Sequence, residues 1–151
     1  MTTKTPVTAE QFFQLPETNQ FVELLDGEII MSPSPIPDHQ DVVFNSGTVL
    51  KQAARERGGR AFIAPLDVKF DDMNVPQPDA IYLAPDSRCV VEEKRLVGIP
   101  DLLVEVLSPG TIKRDRSDKF LLYERYGVRE YWIIDPRDQL TEVWQWKDGH
   151  F

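Results

Sequence analysis

A chain of 151 residues with 41% hydrophobic and 28% charged side chains is long enough to close a hydrophobic core, and its formal net charge of −8 excludes a general polyanion binder, whose surface would be basic overall. No apolar run approaches the roughly 20 residues that cross a bilayer, and no basic-then-apolar leader opens the sequence. A single cysteine, Cys89, excludes an intrachain disulfide and a cysteine-cluster metal site, so a cytoplasmic protein with no membrane partner is expected.

In chain order, Thr8 with Gln11 three residues on predicts a capping box and a short helix that Pro16 ends. "FVELLDGEIIM" reads as a β-hairpin turning at Asp26-Gly27, and "SPSPIPDHQ" as a proline-serine loop. Asp38 is placed to cap a helix running to about Arg57, where Gly58-Gly59 stops it. His39, Val43, Ser46 or Gly47, Leu50 and Ala54 share one face of that helix. "AFIAPLDVKF" is one strand or two; the loop "DDMNVPQP" and the strand "DAIYLA" follow, then a polar stretch from Pro85 to Pro100. "DLLVEVL" is a strand and "SPGTIKRDRSDKFLLYERYG" a loop and helix ending at Gly127. "EYWIID", the turn at Asp135-Pro136 and "QLTEVWQW" complete the chain's strands. With no repeats and no linker, residues 1–151 are expected to form one domain of α/β class, an α+β-like mixed sheet with flanking helices and an N-terminal β-hairpin.

Glu105 breaks the pattern. It stands in an aliphatic strand, where a lone carboxylate costs several kcal/mol unless it is paired, protonated or bound to a cation. Asp79 opens the preceding strong strand, and Lys119 lies on the following helix with Leu122, Tyr123 and Tyr126 at i+3, i+4 and i+7, a face that should turn toward the sheet. Asp101 shares strand parity with Glu105, but four residues put them roughly 13 Å apart, too far to hold one ion. Two carboxylates and an ammonium at a sheet edge suit metal-assisted phosphodiester hydrolysis, because Mg²⁺ takes carboxylate oxygens and keeps several waters. The same residue types more often make a structural ion pair or a solvated edge, and spacing alone does not identify a nuclease. Residues 113–129 carry six cationic side chains against three acidic ones, so Lys113, Arg114 and Arg116 are either a phosphate-facing patch or a solvated helix face.

The stretches "FVELLDGEI", "SPIPDHQ", "PQPDAIYL", "DLLVEVLSPGTIKRDRSDKFLLYERYGVREYWIIDP" and "TEVW" fall in an order, from about residue 8 to residue 146, that resembles the bacterial Uma-two endonuclease-like proteins of the PD-(D/E)XK nuclease superfamily. The resemblance implies a restriction-endonuclease-like core and Mg²⁺-dependent cleavage of nucleic acid, DNA foremost, with Mn²⁺ as a substitute. It matches Asp79 to the aspartate of the "PD" element and Glu105 to the second acidic position, making these two the metal ligands. Leu107 stands where the superfamily usually has its lysine, and Lys119 matches a lysine moved onto the next helix. Glu23 matches a glutamate usual in the family and either reaches the metal or a metal-bound water, or is structural. His39 and Gln40 match a His-Gln pair, with a satisfied structural histidine as the plainer role for His39. Tyr123 either hydrogen-bonds the site or is an ordinary core tyrosine. Gln77 departs from the expected basic residue, and the family's further turn, strand and tail would lie beyond Phe151, which bears on sheet closure and on the homodimer contacts the family implies.

Two functions follow: a Mg²⁺-dependent nuclease using Asp79, Glu105 and Lys119, or a catalytically inactive dimeric binding or assembly module on the same fold, with Trp132, Trp144 and Trp146 at a dimer face or in the core. The intact trio favours the enzyme, since a module without catalysis would be free to lose Lys119. DNA and RNA are not distinguished.

Overall fold

In the computed structural model, residues 4–151 are described. Thr8 opens α1 (Ala9–Phe13) with the expected capping box: its hydroxyl accepts from the Gln11 N–H, and the Gln11 side chain accepts from the Thr8 N–H. Strands β1 (Phe21–Leu25) and β2 (Glu28–Ser32) form the antiparallel hairpin. Asp26 and Gly27 both have positive φ, 47° and 79°, as a tight primed turn demands.

Helix α2 runs Pro37–Arg57 and begins one residue ahead of the expected Asp38 cap. Pro37 takes the first turn, where its fixed φ is already helical and its missing N–H costs nothing, and Ile36 stands at the cap without a side-chain bond. After Gly58 the chain forms β3 (Arg60–Ile63), β4 (Val68–Lys69) and β5 (Ala80–Leu83), so "AFIAPLDVKF" is two strands. The Pro85 to Pro100 stretch is more than a polar loop: β6 (Val90–Val91) and β7 (Leu96–Val97) join β4 in a small sheet of order β4-β7-β6. Two-residue strands are too short to display a period of two, which is why the sequence conceals them.

The main sheet adds β8 (Leu102–Val106), β9 (Glu130–Asp135) and β10 (Leu140–Gln145) in the order β10-β9-β8-β5-β3. β8 and β9 are parallel, and the other neighbours are antiparallel. The crossover between β8 and β9 carries a wide π-type turn, Arg114–Asp118, which runs directly into α3 (Lys119–Arg125). Because β8 is the middle strand, its alternate side chains enter two cores. Val104 and Val106 pack with Val43 and Leu50 of α2, while Leu103 and Leu107 pack with Leu122 and Tyr123 of α3. The architecture is the mixed α/β sheet with flanking helices and N-terminal hairpin that the sequence leads one to expect. Among the described residues no helix is long and apolar enough to cross a membrane.

Candidate active site

Sheet register brings the two carboxylates together. Ala80 pairs with Val104 across β5 and β8, so one step further along Asp79 comes level with Glu105. β5 starts only at Ala80, and the Asp79 side chain serves the ladder in its place: Oδ2 accepts the Val106 N–H at 2.7 Å. Glu105 follows the parity of Leu103 and Leu107 and therefore faces α3, where it is 2% exposed. The hairpin supplies a third acid. Paired backbone bonds between Leu24 and Val75 dock β1 beside the site, and Glu23 Oε1 accepts the Gln77 N–H at 2.7 Å.

Lys119, at the start of α3, stands between two of these acids, with Nζ 2.8 Å from Glu105 Oε1 and 2.6 Å from Glu23 Oε1. Burial would lower its pKa, but Glu105, Glu23 and Asp115 outweigh burial and raise it, so the ammonium stays charged. Burial pushes the Glu105 carboxyl well above the usual carboxylate range, and the Lys119 charge opposes that shift. The Tyr123 phenol, likewise raised by burial and then by Glu105, remains protonated and donates to Glu105 Oε1 at 2.6 Å. Two oxygens are left over. Among the described residues no hydrogen bond ends on Asp79 Oδ1 or Glu105 Oε2, and both residues line the same cavity of about 50 Å³.

The family model described as "Uma2: Putative restriction endonuclease" matches residues 9–151. The chain belongs to this family. It is 25% identical over 146 residues to sll1609 of Synechocystis sp., described as an uncharacterized protein, covering 95% of this chain and 82% of that one. A crystal structure described as "a putative nuclease belonging to DUF820" from Anabaena variabilis superposes with a TM-score of 0.78 at 29% identity, covering 93% of this chain and 80% of that chain.

In this Uma2-family chain the site-residue candidates divide clearly. Asp79, Glu105, Lys119, Glu23 and Tyr123 are connected by the bonds above. His39 joins them from α2, with Nε2 3.4 Å from Asp79 Oδ2; burial lowers its pKa, but Asp79, together with the Val106 backbone and Asp115, leaves it raised. Gln40 is exposed and outside the acidic cavity. Arg114 turns inward, donating to Ser32 Oγ at 2.6 Å and standing 3.9 Å from Glu23 Oε2. Arg116 is paired with Glu142 at 2.7 Å, and Lys113 is exposed. Asp101 sits at the opposite end of β8, where Oδ2 accepts the Ala84 N–H at 2.8 Å.

Asp115 is the site residue that reading the sequence missed. It is 2% exposed, lines the cavity, and precedes Lys119 by four residues, a helical spacing that places both on one side. The spacing is present in the sequence, but the surrounding cations mask one inward-facing acid in a segment that reads as a phosphate-facing patch or a solvated helix face. Burial, only partly offset by Lys119, raises the Asp115 carboxyl from 3.8 to about 6. An acid raised in the folded state stabilises the fold at low pH and loses that contribution as pH rises, here between about 4 and about 6. Asp115→Asn is therefore expected to gain stability relative to the parent over that window, by up to about 3 kcal/mol. Urea unfolding at both pH limits measures the difference, and a gap that stays constant would show that Asp115 titrates normally.

The donor chemistry fits a divalent cation. Four carboxylates (Glu23, Asp79, Glu105 and Asp115) line the cavity against Lys119, Arg114 and His39. Among the described residues no three His, Cys, Asp or Glu side chains form a ready cage. Mg²⁺ does not require one, since it is commonly held by one or two carboxylates and waters. At roughly 10–15 Å³ per water position, the cavity has room for an ion and a few waters.

Proposed function

We propose that this chain is a Mg²⁺-dependent nuclease that hydrolyses phosphodiester bonds of nucleic acid, DNA foremost, with Mn²⁺ able to replace Mg²⁺. One observation supports this above the rest: Asp79 and Glu105 line one cavity, and each has one oxygen fixed by protein donors and a second on which, among the described residues, no hydrogen bond ends. Those two oxygens would hold the ion. When bound there, a divalent cation supplies a water of lowered pKa and positive charge facing the phosphate.

The chain's own groups do the rest. The Val106 N–H fixes the Asp79 carboxylate, and the Lys119 ammonium and Tyr123 hydroxyl fix Glu105, so both enter the reaction already oriented. Lys119 cannot readily give up its proton and acts as a fixed positive charge beside the reacting phosphate. Arg114, which also lines the cavity, would meet a phosphate oxygen. Lys113 and Arg116 would contact neighbouring phosphates, Arg116 after leaving Glu142.

Calorimetric titration with Mg²⁺ and Mn²⁺ is expected to reveal a site that Asp79→Asn weakens at least about tenfold, since second-shell changes alone reach that size. Plasmid DNA is expected to be cut only with the metal present, and not after chelation. Metal affinity unchanged in Asp79→Asn would place the ion elsewhere and remove the basis of the proposal.

A further inference from the structure

The acidic cavity continues into a groove that the chemistry above does not use. Phe21, Pro35, His39 and Asp79 line both spaces, and Phe44 and Ile63 then carry the groove along the seam between α2 and β3, the edge strand of the sheet. Phe44 is 67% exposed and Ile63 45%, so neither is spent on the core. Gly47, three residues after Phe44 on α2, meets Ile63. A Cβ there would come 2.5 Å from Ile63 Cγ2, so glycine is what lets the strand side chain lie against the helix.

Gln40, Phe44, Gly47, Lys51 and Arg55 recur every three or four residues, forming one strip of α2 about 22 Å long. Lys51 and Arg55 line the far end of the groove, and among the described residues neither is ion-paired. All the cations of residues 113–129 except Lys113 differ in this respect. Arg114, Arg116, Lys119, Arg125 and Arg129 each have a carboxylate within 4 Å. Lys51 and Arg55 thus offer a phosphodiester backbone two unpaired cations along this groove, beyond an exposed aromatic ring.

We propose that the seam between α2 and β3 carries an unstacked single strand of nucleic acid into the acidic cavity, with a base against Phe44 and backbone phosphates at Lys51 and Arg55. The groove is continuous with the cavity, its walls are apolar and aromatic where a base would lie, and its cations are unpaired where phosphates would lie. Gln40 and Asp41 put an amide and a carboxylate on its rim, hydrogen-bond partners for a base edge. Stacking on an aromatic side chain tolerates any base, whereas a duplex keeps its bases turned away. The inference rests on the nuclease reading for the destination of the strand, but its test does not depend on cleavage.

Fluorescence anisotropy with labelled oligothymidylate and oligouridylate, in chelator, is the experiment. The intact chain is expected to bind at least one of these strands, and the preferred one identifies the sugar. A duplex should bind about tenfold more weakly or worse, because unstacking opposes it. Phe44→Ala, at an exposed helix position, is expected to weaken strand binding by about 5- to 100-fold. Lys51→Ala with Arg55→Ala should lower the slope of log affinity against log salt by about 1.4, two phosphate contacts. Affinity unchanged in Phe44→Ala, or a duplex held as tightly as the single strand, overturns the track. Neither result would touch Glu105-dependent cleavage, and loss of the nuclease reading would leave these affinities as they are.

Discussion

Glu105→Gln is expected to cut the rate of DNA cleavage by about three orders of magnitude or more and to leave the fold at least as stable as the parent. The two halves of this expectation have different causes. The amide keeps the shape of the carboxylate and can still accept from Tyr123, so Leu103, Leu107 and α3 have no reason to repack. Lys119 retains Glu23 at 2.6 Å, so its charge is not stranded. One buried carboxylate of four is gone from a cavity with too few cations, which favours the variant by relieving desolvation and mutual repulsion. Catalysis has no such substitute. An amide oxygen is a poor replacement for an anionic ligand, and losing one preorganised electrostatic group commonly costs 10²–10³ in rate before any loss of metal is counted. Single-turnover cleavage in Mg²⁺ alongside thermal unfolding reads both halves. A rate within tenfold of the parent would remove Glu105 from the chemistry. A collapse in melting temperature would instead make it a structural residue.

The sequence discloses this site unevenly, for physical reasons. Glu105 is legible because a charge in an aliphatic strand is anomalous wherever the strand lies, and Lys119 because helical spacing aligns it with Leu122 and Tyr123, both buried as expected. Leu107 is equally instructive. It is 5% exposed and packed in the α3-facing core, two residues after Glu105, so that position carries an apolar load in this fold and the cation arrives from the helix instead. Glu23 was visible only through family resemblance, because 82 residues separate it from Glu105 and nothing local records that the hairpin docks through Leu24 and Val75. The basic segment is legible only in part. Counting charges treats Lys113 to Arg129 as one surface, whereas a wide turn sends Arg114 toward Ser32 and Glu23, Asp115 into the cavity and Arg116 toward Glu142.

Lys119→Met is expected to be the most destabilising change in the site, by about 3–5 kcal/mol at neutral pH, and to abolish cleavage as well. The fold itself therefore retains this lysine, and an inactive module would not be free to lose it. The methionine fills the space of the lysine stem but leaves Glu105 and Glu23, each side chain 3–4% exposed, facing one another without the ammonium that both contact. The sign of the pH dependence separates this mechanism from loss of packing. The parent's Lys119 has its pKa raised by these acids, so its contribution is fully present at every pH below the ordinary lysine value of 10.5. In the variant Glu105, already pushed toward protonation by burial, loses the cation that opposes that shift and rises further. Such acids stabilise at low pH and cost stability as pH rises, so the gap between parent and variant should narrow as pH falls from 7 toward 4. A gap independent of pH would mean that Lys119 matters for its methylenes. Adding Glu105→Gln and Glu23→Gln to Lys119→Met removes the stranded charges and is expected to restore most of the lost stability without restoring cleavage. Stability regained with activity still absent assigns Lys119 and Glu105 to the reaction, because a purely structural network would return both together.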